Sequence, residues 1–439
     1  MGSDTGMGIK TKITAASALL LAAIGLVGVT MFHSGAPEAD PEAKITLAHD
    51  KGNLPGFQRH FEIQGQKAKQ AAGVGFEPVA YHNTDLFVHQ MNASLPTRDA
   101  PELFTWWSTY RVKRLVEKDL VADLTHIWDK HGDDYPRAIR EAYTLNGRVY
   151  GFPYSVEYWP VWYNKRLFER LNIKRPETWN EFIRACQVLK ANGIPPILSS
   201  LQLKWYTFVW FEELVIGEDP DFYRQLCRGT ASYSDPRLRK ALLLWRDMID
   251  QGYFSDPSTH MFTNAGHLWN NEKFGMVLCG SWYYSTVLLD QGVDRETIGV
   301  FILPSHNPTA GKNIVMESGP ILTAKNAAEK ATAEKIVDWW MGPEGNTHFS
   351  KVFQSYSANK RAGTSHLHPA KQELLAAIRG ENYRILNRYW EATPSPIVDK
   401  AVNLFARFIL NPEEMDAVIE ELTLTADTYW AEHADIIGR

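Results

Sequence analysis

Short apolar runs alternate with stretches of helical spacing from Lys44 onward. Ile45–His49 is a β-like run and Phe76–Tyr81 is another. Between them Phe57, Phe61, Ala68 and Ala71 recur near a 3.6-residue period, which predicts a helix with one buried face. Leu103–Trp107 predicts a third strand, followed by a helix on which Val112, Leu115 and Val116 share a side. Strands alternating with helices predict an α/β lobe built from βαβ units.

The second half is richer in helices. Thr178 and Glu181 form a capping-box pattern that opens a helix running to Ala191, and Gly193 stops it. Asp235–Pro236 opens another, through Leu242, Trp245 and Ile249 to Gly252. Proline suits that first turn because its missing N–H has no partner there. Asn326 and Glu329 predict the start of a third, with Ile336, Val337 and Trp340 on one side.

The N-terminus departs from this pattern. Lys10 and Lys12 precede an uncharged run from Ile13 to Phe32. Such a start predicts a secretory signal, and the run is also long enough to span a bilayer. Cleavage after Ala36 would leave Ser34 and Ala36 at the small-residue positions, with Pro37 directly after the cut. Residues 1–36 are therefore read as a signal peptide or membrane anchor, and 37–43 as a linker. Both readings export the remainder, to a periplasmic or other extracytoplasmic location.

Length and composition narrow the class. The chain has 439 residues, too many for one small core, and its 44% hydrophobic and 22% charged content is that of a globular protein. A net charge of -5 gives no electrostatic footprint for nucleic acid. The spacing of Cys186, Cys227 and Cys279 matches no zinc or redox pattern, and their odd number leaves at least one unpaired. They read as small buried hydrophobes, with one disulfide as the alternative in an oxidising compartment.

Enzyme signatures are missing from the sequence. There is no phosphate loop, no H-E-x-x-H and no G-x-S-x-G. Gly73 and Gly75 follow a helix, not a strand, so they open no dinucleotide site. His366 and His368 read as solvated, with nothing nearby to complete a metal's ligands. Asp133–Asp134 and Glu212–Glu213 read as surface charge, because adjacent helical residues do not face one another. No catalytic residue, metal or cofactor is expected. A glycoside-active enzyme built from distant carboxylates stays open as an alternative.

The aromatic residues carry the positive signal. The chain has 15 Trp and 18 Tyr, many of them clustered. A flat indole packs against the C–H face of a pyranose, while carboxylates and N–H groups meet its hydroxyl rim. Trp245 and Trp340 lie on apolar helical faces and are assigned to packing, and Trp179 to anchoring a helix start. Trp106, Trp107, Trp159, Trp205 and Trp282 fall at strand ends or in loops and are the ligand candidates.

Several motifs together resemble a known family. Gly147–Lys165 reads GRVYGFPYSVEYWPVWYNK, like G-x-x-Y-G-x-P-Y followed by Y-N-K. Pro176–Phe182 reads PETWNEF, Pro101-Glu102-Leu103-Phe104 stands farther upstream, and Phe274–Trp282 reads FGMVLCGSW. In this order they resemble the family 1 extracellular solute-binding proteins, which include maltodextrin- and oligosaccharide-binding proteins of ATP-driven importers. The resemblance runs from about Lys44 to about Asn359.

It implies two α/β lobes, each a mainly parallel sheet flanked by helices, with a hinge and an interlobe cleft. The first lobe would take 44–153 and 304–343, the second 154–303 and 344–439. Crossings would fall near Phe152–Val156, Phe301–Pro304 and Gly342–Gly345. Glu157 stands where maltodextrin binders have a sugar-contacting Glu. Gly280, Ser281 and Trp282 match a ligand-contacting loop, His49 and Asp50 end the first strand, and Ser318 and Gly319 mark a further cleft loop. The implied function is capture of a sugar by a monomer that delivers it to permease subunits. A non-sugar solute remains the other alternative.

Overall fold

The computed structural model describes residues 44–434. The apolar N-terminal run and the linker lie outside them. Among the described residues no helix is long and apolar enough to cross a membrane.

A six-stranded sheet organises the first lobe. β1 (Ile45–His49) lies inside it, parallel to β2 (Phe76–Ala80) and β3 (Leu103–Thr105), with Ile45 opposite Phe76 and Leu47 opposite Leu103. The expected helix is α1 (Pro55–Ala72), which lays Phe57, Phe61 and Ala68 on the sheet. Gly65 allows a close approach to β2, since a Cβ there would sit 2.2 Å from the Phe76 carbonyl oxygen. Helix propensity alone favours alanine at this site by about 1 kcal/mol. The clash is with backbone and outweighs that gain, so Gly65→Ala is expected to lower Tm; an unchanged or higher Tm refutes the packing.

The chain leaves the first lobe through β4 (Phe152–Tyr158) and enters a smaller sheet as β5 (Val161–Asn164). There β6 (Met276–Leu278) and β7 (Ile298–Phe301) flank β5, and both pairings are antiparallel. The expectation of a mainly parallel second sheet is thus corrected. β5 starts at the interlobe side, directly after Trp159–Pro160, whereas β6 runs back toward it and delivers Gly280–Trp282.

The chain returns through β8 (Asn313–Thr323), which is antiparallel to β3 and β4. Two stretches that the sequence assigns to the second lobe sit in the first. β9 (Arg384–Asn387) pairs in parallel with β8. The helix Pro343–Phe353 packs on α1, where Gln64 donates to the Gly345 carbonyl at 3.0 Å. The chain therefore makes no crossing at Gly342–Gly345. Where the two lobes meet, Arg59 of α1 pairs with Asp290 at 2.5 Å.

Helix starts follow local chemistry. The Thr178–Glu181 capping box forms as expected, and Asp235 caps the helix Pro236–Asp250 through the Arg237 amide. The third start differs: the helix begins at Lys330, while the Asn326 side chain donates to the Leu95 carbonyl. That tertiary contact outcompetes a local cap.

Two charge readings are also corrected. Glu212 and Glu213 lie on Thr207–Glu218, a helix buried on every side, and are not surface charges. Burial pushes the Glu213 carboxyl up to about 8 from 4.5. The fold then keeps a proton that the unfolded chain releases, so stability falls as pH rises through that window, by up to ~1.4 kcal/mol per pH unit. Glu213→Gln is expected to reduce this slope, read from urea midpoints at pH 5 and 8; an unaltered slope contradicts the assignment. His368 is buried, caps the helix Pro369–Gly380 through the Ala370 amide, and stacks on Tyr284. His366 accepts from or donates to Ser350 Oγ at 2.8 Å. Among the described residues no group of His, Cys, Asp and Glu could hold a metal ion. The three cysteines are buried and unpaired, and burial raises each thiol, Cys227 to about 12.

Candidate functional site

A cavity lies where β1, β3, β4 and β8 of the first lobe face the loop after β6. The space between its walls, open solvent at the mouth included, is about 940 Å³. Eight of the residues singled out by the sequence line it: Asp50, Trp106, Trp107, Glu157, Trp205, Trp282, Ser318 and Gly319. His49, Trp159, Gly280 and Ser281 do not.

Strand alternation separates His49 from Asp50. The His49 ring turns inward, bonds Gln58 at 2.8 Å and packs on Phe61, and burial lowers its pKa to about 4. Asp50 faces the cavity, 2.9 Å from the Lys51 ammonium. Trp106 and Trp107 follow β3 directly. The Trp106 N–H is used up on the Arg111 carbonyl at 3.1 Å, which leaves its ring as the usable surface.

Trp282 forms another part of the wall. Its ring stacks on Phe262 at 6.1 Å and lies 6.3 Å from Trp205 and 6.0 Å from Phe57. Gly280 serves this loop without lining the cavity: a Cβ there would lie 2.4 Å from Trp282 Nε1, so only glycine fits under the indole. Trp159 backs the wall, edge-on to both Trp205 and Trp282. Ser318 Oγ bonds the Tyr143 hydroxyl, and Gly319 packs against the Tyr154 ring.

Glu157 stands opposite Glu317 on the paired strands β4 and β8. One carboxylate oxygen accepts from Ser281 Oγ and lies 3.9 Å from the Lys371 ammonium. Lys371 is fully buried and also donates to the carbonyls of Ser281 and Gln354. Burial raises the Glu157 pKa and lowers that of Lys371, while each opposes the shift of the other. The second oxygen, Glu157 Oε1, is buried without a hydrogen bond of good geometry in the protein, although the Ser155 hydroxyl also acts on this carboxylate. Trp390 Nε1 and Thr105 Oγ1 in the same wall are also buried without a hydrogen bond in the protein. Buried polar groups are nearly always paired, so these three atoms stand out in the wall.

Sequence reasoning missed part of the wall. Glu317, Arg388, Trp390 and Glu391 line the cavity, as do Phe57, Phe208 and Phe353. The Arg388 guanidinium pairs with both Glu317 and Glu391, lies 5.2 Å from the centre of the Trp159 ring, and is buried. The signal available for these residues was Arg388-Tyr389-Trp390-Glu391, a charge pair at i,i+3 enclosing two aromatics.

The comparisons with known proteins agree with this architecture. The profile of the family "Bacterial extracellular solute-binding protein" matches residues 66–347, and the chain belongs to that family. A diacetylchitobiose binding protein of Streptomyces coelicolor is 23% identical over 332 residues, covering 72% of this chain and 75% of its own. An uncharacterised ABC transporter extracellular-binding protein of Pyrococcus horikoshii is 26% identical over 245 residues, or 54% of this chain and 55% of its own. The chain thus spans about half the length of the first curated relatives it matches.

Among solved structures, the solute receptor AcbH, described with a preference for β-D-galactopyranose, superposes with a TM-score of 0.80 at 20% identity, over 88% of this chain and 99% of its own. A chitin oligosaccharide binding protein gives 0.76 at 18%, over 88% and 98%. The fold is the two-lobe periplasmic-binding-protein fold, and the family and these relatives are described as binding proteins or solute receptors.

Proposed function

We propose that this chain is an exported receptor that captures a neutral sugar between its lobes and delivers it to the permease of an ATP-driven importer, with no chemistry of its own. The observation that carries the reading is the cavity's combination of tryptophan rings with three buried polar atoms that lack a hydrogen bond of good geometry. Trp106, Trp107, Trp205, Trp282 and Trp390 offer flat apolar surface. Glu157 Oε1 accepts a hydroxyl, Trp390 Nε1 donates to one, and Thr105 Oγ1 does either.

Asp50 faces Lys51, Glu157 faces Lys371, and Glu317 and Glu391 share Arg388. Every one of these charged groups already has an ionic partner, with four carboxylates on three cations, which supports a neutral solute over an anion. An organic acid would have to displace one of these pairs, and a polyamine would find only the one carboxylate in excess beside Arg388. Permease delivery and export are supported by the family's description as extracellular solute-binding proteins and by a relative described as an ABC transporter extracellular-binding protein. Closure follows as a shift between states, because a solute touching both lobes favours the form in which both reach it.

The test is a thermal-shift panel of neutral mono-, di- and oligosaccharides beside sugar acids and polyamines. A ligand that binds only the folded form adds about 2.7 kcal/mol of stability at 100 times its Kd. A neutral sugar is expected to raise Tm and to be recovered unchanged after incubation. A rise with only the charged compounds, or hydrolysis products, would overturn the proposal.

A further inference from the structure

We infer that Glu317 is a positioning residue that fixes the Trp282 indole in the cavity wall, and that Arg388 and Glu391 hold Glu317 in place for that task. Trp282 Nε1 donates to Glu317 Oε1 at 2.7 Å. The other oxygen of Glu317 pairs with the Arg388 guanidinium, whose Nε donates to Glu391 Oε2 at 3.0 Å and whose second amino group donates to Glu391 Oε1. The Arg388 amide also donates to the Met316 carbonyl at 3.2 Å, tying this residue to the strand that carries Glu317.

The geometry separates the indole's two functions. With its N–H taken by Glu317, Trp282 offers a solute only its ring face and edge, and the orientation of that face is set by the carboxylate. The carboxylate in turn cannot rotate freely, because its second oxygen is tied to a planar guanidinium that is itself forked onto Glu391. The chain of contacts also crosses the molecule. Trp282 belongs to the loop after β6 of the smaller sheet, and Glu317 to β8 of the larger one. Gly280 beneath the indole and Phe262 against its face complete the seat.

This deepens the reading of the cavity as the solute site and rests on it for the consequence in binding. The positioning itself is tested without any sugar. In ¹⁵N-labelled protein the Trp282 indole N–H is the resonance lost in Trp282→Ala. In Glu317→Ala it is expected to move upfield and to exchange with solvent deuterium at least about tenfold faster, as suits loss of a hydrogen bond to a charged acceptor. Glu317→Gln keeps an acceptor without the charge and is expected to give an intermediate shift; it also serves if Glu317→Ala does not fold. Trp106 and Trp162 donate to the backbone carbonyls of Arg111 and Cys279, and their resonances are internal controls.

A Trp282 resonance with unchanged shift and exchange in either folded variant overturns the inference. So does a shift in which all three indoles move together, since that reports general loosening. Binding of a thermal-shift-positive sugar then gives the second readout: in a Trp282→Ala background, Glu317→Ala is expected to cost no further affinity. An equal cost with and without Trp282 would place Glu317 in direct contact with solute instead. A panel in which no neutral sugar binds removes the sugar reading and leaves the resonance result standing on its own.

Discussion

Lys371→Met is expected to destabilise the protein by about 3 kcal/mol at pH 7.5 and by clearly less at pH 5. The ammonium is fully buried, 3.9 Å from Glu157, and donates to two backbone carbonyls. Removing one member of a buried pair leaves the other charge uncompensated, a loss of ~3–5 kcal/mol. Glu157 limits that loss by taking up a proton, because burial already raises its pKa. Below about pH 7 the wild-type carboxyl also holds its proton, so only above that does the variant alone bear the cost of keeping it, which sets the sign of the pH dependence. Methionine fills most of the lysine volume, so little of the effect comes from a void. Urea unfolding at the two pH values measures it. Equal losses at both would show that the carboxylate is not the partner. Adding Glu157→Gln to Lys371→Met is expected to restore part of the stability at pH 7.5.

The second large effect is on binding. Trp282→Ala is expected to weaken affinity for a sugar that raises Tm by at least ~2 kcal/mol, about thirtyfold, the scale of a buried aromatic anchor. Its ring meets Phe57, Trp205 and Phe262 around the cavity, so the truncation removes surface on which a pyranose would stack. Trp245→Ala is the matched control. That ring is buried against Phe405 and Phe408, away from the cavity, and its loss is expected to lower stability while leaving affinity within about twofold. Calorimetry on both variants decides. Unchanged affinity in Trp282→Ala removes this residue from the site.

What was legible in the sequence was local. β1 and α1 were readable because apolar spacing alone sets their buried faces. The capping box at Thr178 was readable because all its partners lie within four residues. What was not legible depends on distant partners. β9 joins the larger sheet through β8, some 70 residues earlier in the chain, and no local pattern signals that pairing. The buried Glu212 looked like surface charge because its partner, the Tyr389 amide, lies 177 residues away.

The site divides along the same line. Asp50, Glu157 and Trp282 sit at strand ends or in a recognisable motif. His49 was one residue out of phase, since the strand's alternation turns it into the core. Ser281 and Gly280 were placed at the cavity by motif, yet they act one layer back, Ser281 holding Glu157 and Gly280 making room for the indole. Arg388, Trp390 and Glu391 come from the four-residue helix Tyr389–Ala392 and its flank, beyond the last motif, and reach the cavity only through tertiary packing.

The three sulfhydryls, sealed in the interior and hard to ionise, make the protein convenient to instrument. Maleimide chemistry requires a thiolate that solvent can reach, and none of the native side chains presents one. Cysteines engineered on the outer surface of each lobe should therefore accept a donor and an acceptor dye with the native background left in place. Energy transfer between the dyes would then follow opening and shutting in single molecules, in reducing buffer as well as in air.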